Sequence, residues 1–259
     1  MRRLLAFILI FVVGAAAAAA LAQTGGMASS VSLAGEQRML SQRIVKLYSQ
    51  TGLNIMPALS SSQLRQASLR FEINLAALKP VVAGSAEAAR AYELLTGEWL
   101  GMKKAVAAPV SRDAAEVLSR QAEATLVAAE TLTHVLEDEG KSVASRWVNL
   151  AGRQRMLSQR IAKNYLLRSW GVESSAVREE LESSANDFSA GLAKLGANPD
   201  NSEEVKRELA EVAQQWEWLQ AALSVEGASS YRLIVSESSD AILEATDRIT
   251  RLYEQPSRR

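Results

Sequence analysis

Apolar residues fall along this chain in alternating steps of three and four, and no segment shows a sustained two-residue alternation. That is the period of a helix with one buried face. Ala88, Tyr92, Leu95, Trp99, Met102 and Val106 trace one such seam, and Val205, Leu209, Val212, Trp216, Leu219 and Leu223 trace another. Leu64, Ser68, Phe71, Leu75 and Leu78 trace a third, echoed by Leu181, Ala185, Phe188, Leu192 and Leu195. Further helical stretches run from about Asp113 to Asp138 and from about Ser230 to Glu254. Gly52 and Pro57, Pro80 and Gly84, Pro109, Gly196 and Pro199 stand between the segments. A proline inside a helix costs about 3 kcal/mol, so these positions are expected in loops. Ser111 before Asp113, and Ser202 before Glu203 and Glu204, read as N-caps with acidic first turns.

The echoes share one offset. Displacing the sequence by 117 residues lays VSLAGEQRMLSQRIVKLY, residues 31–48, over VNLAGRQRMLSQRIAKNY, residues 148–165, with 14 identities in 18 positions. The same displacement pairs Phe71 with Phe188, Trp99 with Trp216 and Leu126 with Leu243. An offset that holds over such a length without a gap marks a duplicated domain, not a repeated short motif. Each copy has four helices, most simply an antiparallel bundle with short connections. The predicted fold is therefore all-α, with two tandem four-helix bundles at residues 23–140 and 141–259. The junction Glu137-Asp138-Glu139-Gly140-Lys141 admits two arrangements. A tight turn would set the bundles side by side with the two motif copies facing each other, and a straight run of helix would stack them end to end.

The N-terminus stands apart. Met1-Arg2-Arg3 precedes an unbroken apolar run from Leu4 to Val13 and an alanine tract ending Ala20-Leu21-Ala22, the pattern of a secretory signal peptide over residues 1–22. An uncleaved inner-membrane anchor is the alternative, since Leu4 to Ala22 is about long enough to span a bilayer. Either way the working part is expected in the periplasm. The chain has no cysteine, so it must fold there on its core alone, without thiol chemistry. Its 29 basic side chains equal its 29 acidic ones, and loss of Arg2 and Arg3 leaves about −2, which does not point to nucleic acid. There is one histidine, His134, and no Asp/Glu/His set with metal-ligand spacing, so neither an enzyme, a metal nor a cofactor is expected. Trp99 and Trp216 occupy shared seam positions and read as core, whereas Trp147, Trp170 and Trp218 have no counterpart and could line an interface.

On a helix, residues three or four apart share a face, so Gly35, Arg38, Ser41 and Gln42 line up, as do Gly152, Arg155, Ser158 and Gln159. Leu33, Leu40, Ile44 and Leu47 take another face, matched by Leu150, Leu157, Ile161 and Asn164. Mid-helix glycine costs up to about 1 kcal/mol relative to alanine, so Gly35 and Gly152 imply a close approach. If that approach is to the other copy, Arg38 and Arg155 converge across a pseudo-twofold axis. Two guanidiniums about 7 Å apart repel by roughly 2 kcal/mol at an effective dielectric of 20. A small flat oxyanion between them would relieve this, with Ser and Gln side chains helping. The same residues could instead simply knit helices together.

The pattern A-G-x-Q-R-M-L-S-Q-R-I-x-K resembles the first-helix signature of the PilJ-type domain, the N-terminal sensing domain of type IV pilus chemotaxis transducers. It is also similar to the periplasmic domain of the NarX/NarQ nitrate and nitrite sensor kinases, whose first helix carries a G-x-x-R-M-x-S-x-R box. The resemblance implies a four-helix bundle that pairs through its first helices and holds one nitrate between two arginines. Carried over, these are Arg38 after Gly35 and Arg155 after Gly152, with Arg43 and Arg160 in support. It implies a sensory or binding protein for nitrate or nitrite, working with a membrane receptor or sensor kinase. The alternative is a ligand-free helical module that docks on a type IV pilus, chemotaxis or sensor-kinase partner.

Overall fold

The computed structural model describes residues 26–172, 174–224 and 229–255, so the signal peptide expected at residues 1–22 lies outside the described residues. Eight α-helices, and no strand, occur among them: α1 (Met27–Gly52), α2 (Pro57–Val82), α3 (Ala86–Val106), α4 (Arg112–Gly140), α5 (Val143–Ser169), α6 (Ser175–Gly196), α7 (Glu203–Leu223) and α8 (Ser229–Glu254). None is long and apolar enough to cross a membrane.

Serine caps start most of them. Ser111 and Ser202 accept from the amides of Ala114 and Val205, as expected, and Ser85, Ser142 and Ser174 do the same for α3, α5 and α6. The expected loop at Pro57 and Pro80 is corrected. Pro57 opens α2, where an amide has no partner to lose, and Pro80 stands in the last turn of α2, two residues before it ends. Gly52 and Gly196 likewise close α1 and α6 instead of lying beyond them.

In the first repeat α1 packs on α2 and α4, and α3 on α4; α5, α6, α8 and α7 do the same in the second. The seam residues fill these bundles, with Trp99 stacked on Phe71 at 4.0 Å between ring centres and Trp216 tilted on Phe188 at 4.6 Å.

The most extensive helix pairing among the described residues joins the repeats, α1 to α5. The bundles therefore lie side by side. The turn between them is made by Lys141, whose left-handed backbone (φ 44°) caps α4, so that α5 starts after only Lys141 and Ser142. Gly140 matters instead for its lack of a side chain, which would meet Met27 at 2.6 Å and Ser145 at 3.1 Å. With a bundle on one side and a sister helix on the other, α1 and α5 are covered over all but their first turns, where Met27, Val143, Ala144 and Arg146 are exposed. From Ala34 to Gln50 every residue except Glu36 and Arg43 is buried, and from Ala151 to Leu167 every residue except Arg153 and Arg160.

Candidate functional site

The α1–α5 seam brings the two copies of the motif together, parallel and in register. A methyl group added to Gly152 would lie 3.3 Å from Nη2 of Arg155 and 3.4 Å from Nη2 of Arg38, so the two guanidiniums meet above this residue. A methyl on Gly35 would lie 2.9 Å from Nη2 of Arg38. Both glycines thus make room for guanidinium groups, not for a neighbouring backbone.

Each arginine makes the same contacts in mirror fashion. Arg38 Nη1 donates to Glu130 of α4 at 2.7 Å, and its Nη2 to Asn149 Oδ1 of α5 at 2.7 Å. Arg155 Nη1 donates to Asp247 of α8 at 2.8 Å, and its Nη2 to the carbonyl of Ser32 in α1 at 3.3 Å. Glu130 and Asp247 are equivalent under the duplication, as are Asn149 and Ser32. The chain therefore gives each arginine its own carboxylate, which offsets the repulsion between the pair. The Nε atoms of Arg38 and Arg155 are buried and have no partner. Burial draws the Arg38 pKa down and Glu130 draws it back, while Arg155 and Arg153 lower it further. Burial works to raise the Glu130 carboxyl, but Arg38, with Arg153 and His134, outweighs it and holds Glu130 below the usual range. His134 sits on Glu130 at 3.1 Å, and its counterpart Arg251 is paired with Asp247 in the same way.

Ser41 and Ser158 do not face the arginine pair; each hydroxyl donates to the carbonyl of its own helix, at Arg38 and Arg155 respectively. Gln42 and Gln159 turn to the fourth helices, donating to the carbonyls of Ala122 and Ser239 at 3.4 and 2.9 Å. Gln159 also accepts from Arg43 across the seam at 3.0 Å.

Arg43 and Arg160 cross from one repeat to the other. Arg43 pairs with Asp240 of α8, and Arg160 with Glu123 of α4 at 2.6 Å. Beside them are two residues that spacing did not single out. Lys46 and Lys163, each with a fully buried side chain, also cross over, Lys46 to Asp240 at 2.8 Å and Lys163 to Glu123, and Lys163 reaches Glu180 of its own repeat as well at 3.1 Å. Burial lowers the Lys46 pKa to about 8, with Asp240 opposing the shift and Arg43 adding to it. Burial would raise Asp240 and Glu123, but the lysine and arginine facing each hold both below their ordinary value. A sequence signal for these partners exists. Glu123, Glu130 and Glu137 in α4 recur every seventh residue, a single helix face, and Asp240, Asp247 and Glu254 repeat them at the same offset in α8.

The duplication is inexact at one telling place. Glu36 in α1 is held by Arg70 and Asn74 of α2, at 3.0 and 2.9 Å. The equivalent residues of the second repeat are Arg153, Asp187 and Gly191, so the ion pair is kept with its charges reversed, Arg153 to Asp187 at 3.0 Å. Arg153 also reaches Glu130 across the seam at 3.1 Å.

No curated protein and no solved structure gives a significant match to the chain. The family described as PilJ, type IV pili methyl-accepting chemotaxis transducer N-term, matches it twice, over residues 19–125 and 141–250. These two stretches cover most of the sequence and contain both copies of the seam helix. With its paired bundles joined through those helices, the chain belongs to the PilJ family of chemotaxis-transducer sensory domains and carries that domain in tandem.

Proposed function

We propose that this protein is an exported, periplasmic sensory module that binds one small planar oxyanion, nitrate or nitrite, between Arg38 and Arg155. One observation carries the reading: the two guanidiniums, from equivalent positions of the two repeats, meet above Gly152. The buried Nε donors of both arginines support it, because each is a charged donor still lacking an acceptor. The planar fork of arginine suits a flat oxyanion. Gly35 and Gly152 keep the gap open, while Ser41, Ser158, Gln42 and Gln159 fix the helices behind it. Occupancy would be read by a separate membrane receptor or sensor kinase.

A second reading, a docking module without a small ligand, is favoured by Glu130 and Asp247, which already neutralise each arginine. Calorimetric titration of the purified protein with nitrate, nitrite, chloride and sulfate at low ionic strength separates the two. The expected result is one planar anion per chain, abolished in Arg38→Ala. Gly152→Ala is the variant that leaves the helix intact, since alanine is the better helix former. Its methyl would crowd both Nη2 atoms, and it is expected to weaken the anion. No heat with any of the four salts, together with an unaltered melting temperature in each, would sink the oxyanion reading and leave the docking module.

A further inference from the structure

On the outer side of the seam, α4, α5 and α6 enclose a groove of about 400 Å³, within the size range of small-molecule pockets. Val143, Trp147 and Leu150 of α5 give it an apolar wall. Trp147 is fixed by stacking on Tyr253, with 6.0 Å between ring centres. Arg146 and Lys194 stand at the rim, both exposed, and neither forms an ion pair among the described residues. The other charges of the groove are committed. Arg153 is held by Glu130 and Asp187, and Glu137 accepts from Asn149.

We propose that this groove is a second ligand site, for an organic anion that carries a carboxylate on an apolar body. The body would lie against Trp147 and Leu150, and the carboxylate would take the two uncommitted cations. An inorganic anion has nothing to offer the apolar wall. The duplicated framework does not require these residues. The first repeat has Ser29, Ser30 and Ala77 where the second has Arg146, Trp147 and Lys194, so the basic and aromatic character belongs to this groove alone. The site is also wired to the seam, because Glu130 and Asn149 both line the groove and hold Arg38.

The test is titration of the purified protein with benzoate and hexanoate, and with sulfate and chloride as inorganic controls, followed by calorimetry and tryptophan fluorescence. Wild type is compared with Arg146→Ala/Lys194→Ala, two substitutions at exposed side chains, with circular dichroism confirming the fold. One organic carboxylate per chain is expected, with a fluorescence change, weakened at least about tenfold in the double variant by loss of charge-assisted contacts. Three results would overturn the proposal: no binding of either carboxylate at millimolar concentration, binding untouched by the double substitution, or equal response to the inorganic controls.

Discussion

Lys46 is buried to zero exposure between its own bundle and the other repeat, and its pKa falls from 10.5 to about 8. The sign of the consequence follows from proton counting. Between pH 8 and 10.5 the unfolded chain holds a proton on this lysine that the folded chain has released, so the lysine adds stability as pH rises through that window and adds none below it. Wild type is therefore expected to gain on Lys46→Met, by roughly 1–3 kcal/mol, when urea unfolding is compared at about pH 8 and about pH 10. A difference that stays flat would show that Lys46 titrates normally. The role of this residue was hard to read from the chain. The lysine closes the repeated motif, but helical spacing assigns a face only relative to the residue's own bundle, and here the partner, Asp240, belongs to the other repeat. Arg38 and Arg155 were legible because the duplication itself implied that equivalent positions could meet. Their carboxylates were not, although the seven-residue spacing of Glu123 and Glu130 in α4 carried the information.

Helices α1 and α5 are buried from Ala34 to Gln50 and from Ala151 to Leu167 but for Glu36, Arg43, Arg153 and Arg160, and the far end of the seam is closed by Trp170. A side chain on Gly52 would lie 2.0 Å from the Trp170 indole, which also packs on Tyr48 with 6.4 Å between ring centres. The glycine that reads as a helix breaker is thus a residue of the helix, kept small by a tryptophan of the other repeat. Gly52→Ala is expected to destabilise the protein by about 1–3 kcal/mol through overpacking, despite the better helix propensity of alanine. Trp170→Ala should remove that penalty from the double variant, and chemical denaturation of the four proteins measures the coupling. A penalty that persists without Trp170 would mean that Gly52 is needed for another reason. Element boundaries were otherwise close to the pattern. The expected fourth segments, Asp113 to Asp138 and Ser230 to Glu254, differ by at most two residues from α4 and α8, because the apolar period of both and the Ser111 cap of α4 are local properties. Pro57 misled because a proline suits the first turn of a helix as well as the loop before it, and Pro80 because α2 runs two residues past it despite the lost amide.

At the scale of the whole molecule, four cations cross between the repeats to two carboxylates, Arg43 and Lys46 to Asp240, and Arg160 and Lys163 to Glu123. Removing Asp240 strands two cations, so Asp240→Asn is expected to cost about 3–5 kcal/mol, read by chemical denaturation, whereas Glu123→Gln leaves Lys163 its contact with Glu180 and is expected to cost less. Acid should act alike. Both carboxyls are held below their ordinary pKa, so their contribution is whole above about pH 5 and is lost progressively as pH falls from there through their folded values. Duplication, helix number and class were legible because they need only pattern and offset. The side-by-side arrangement was not, since it hangs on the backbone of one residue, Lys141, that any sequence rule would have passed to Gly140. That two-residue connection has a consequence of its own. Halves that would otherwise meet as separate molecules are held at a local concentration fixed by the tether, so the interface is indifferent to dilution and to how much protein the cell makes. Its two sides are also never interchanged, which leaves each free to change alone, as the reversed pairs Glu36–Arg70 and Arg153–Asp187 already show.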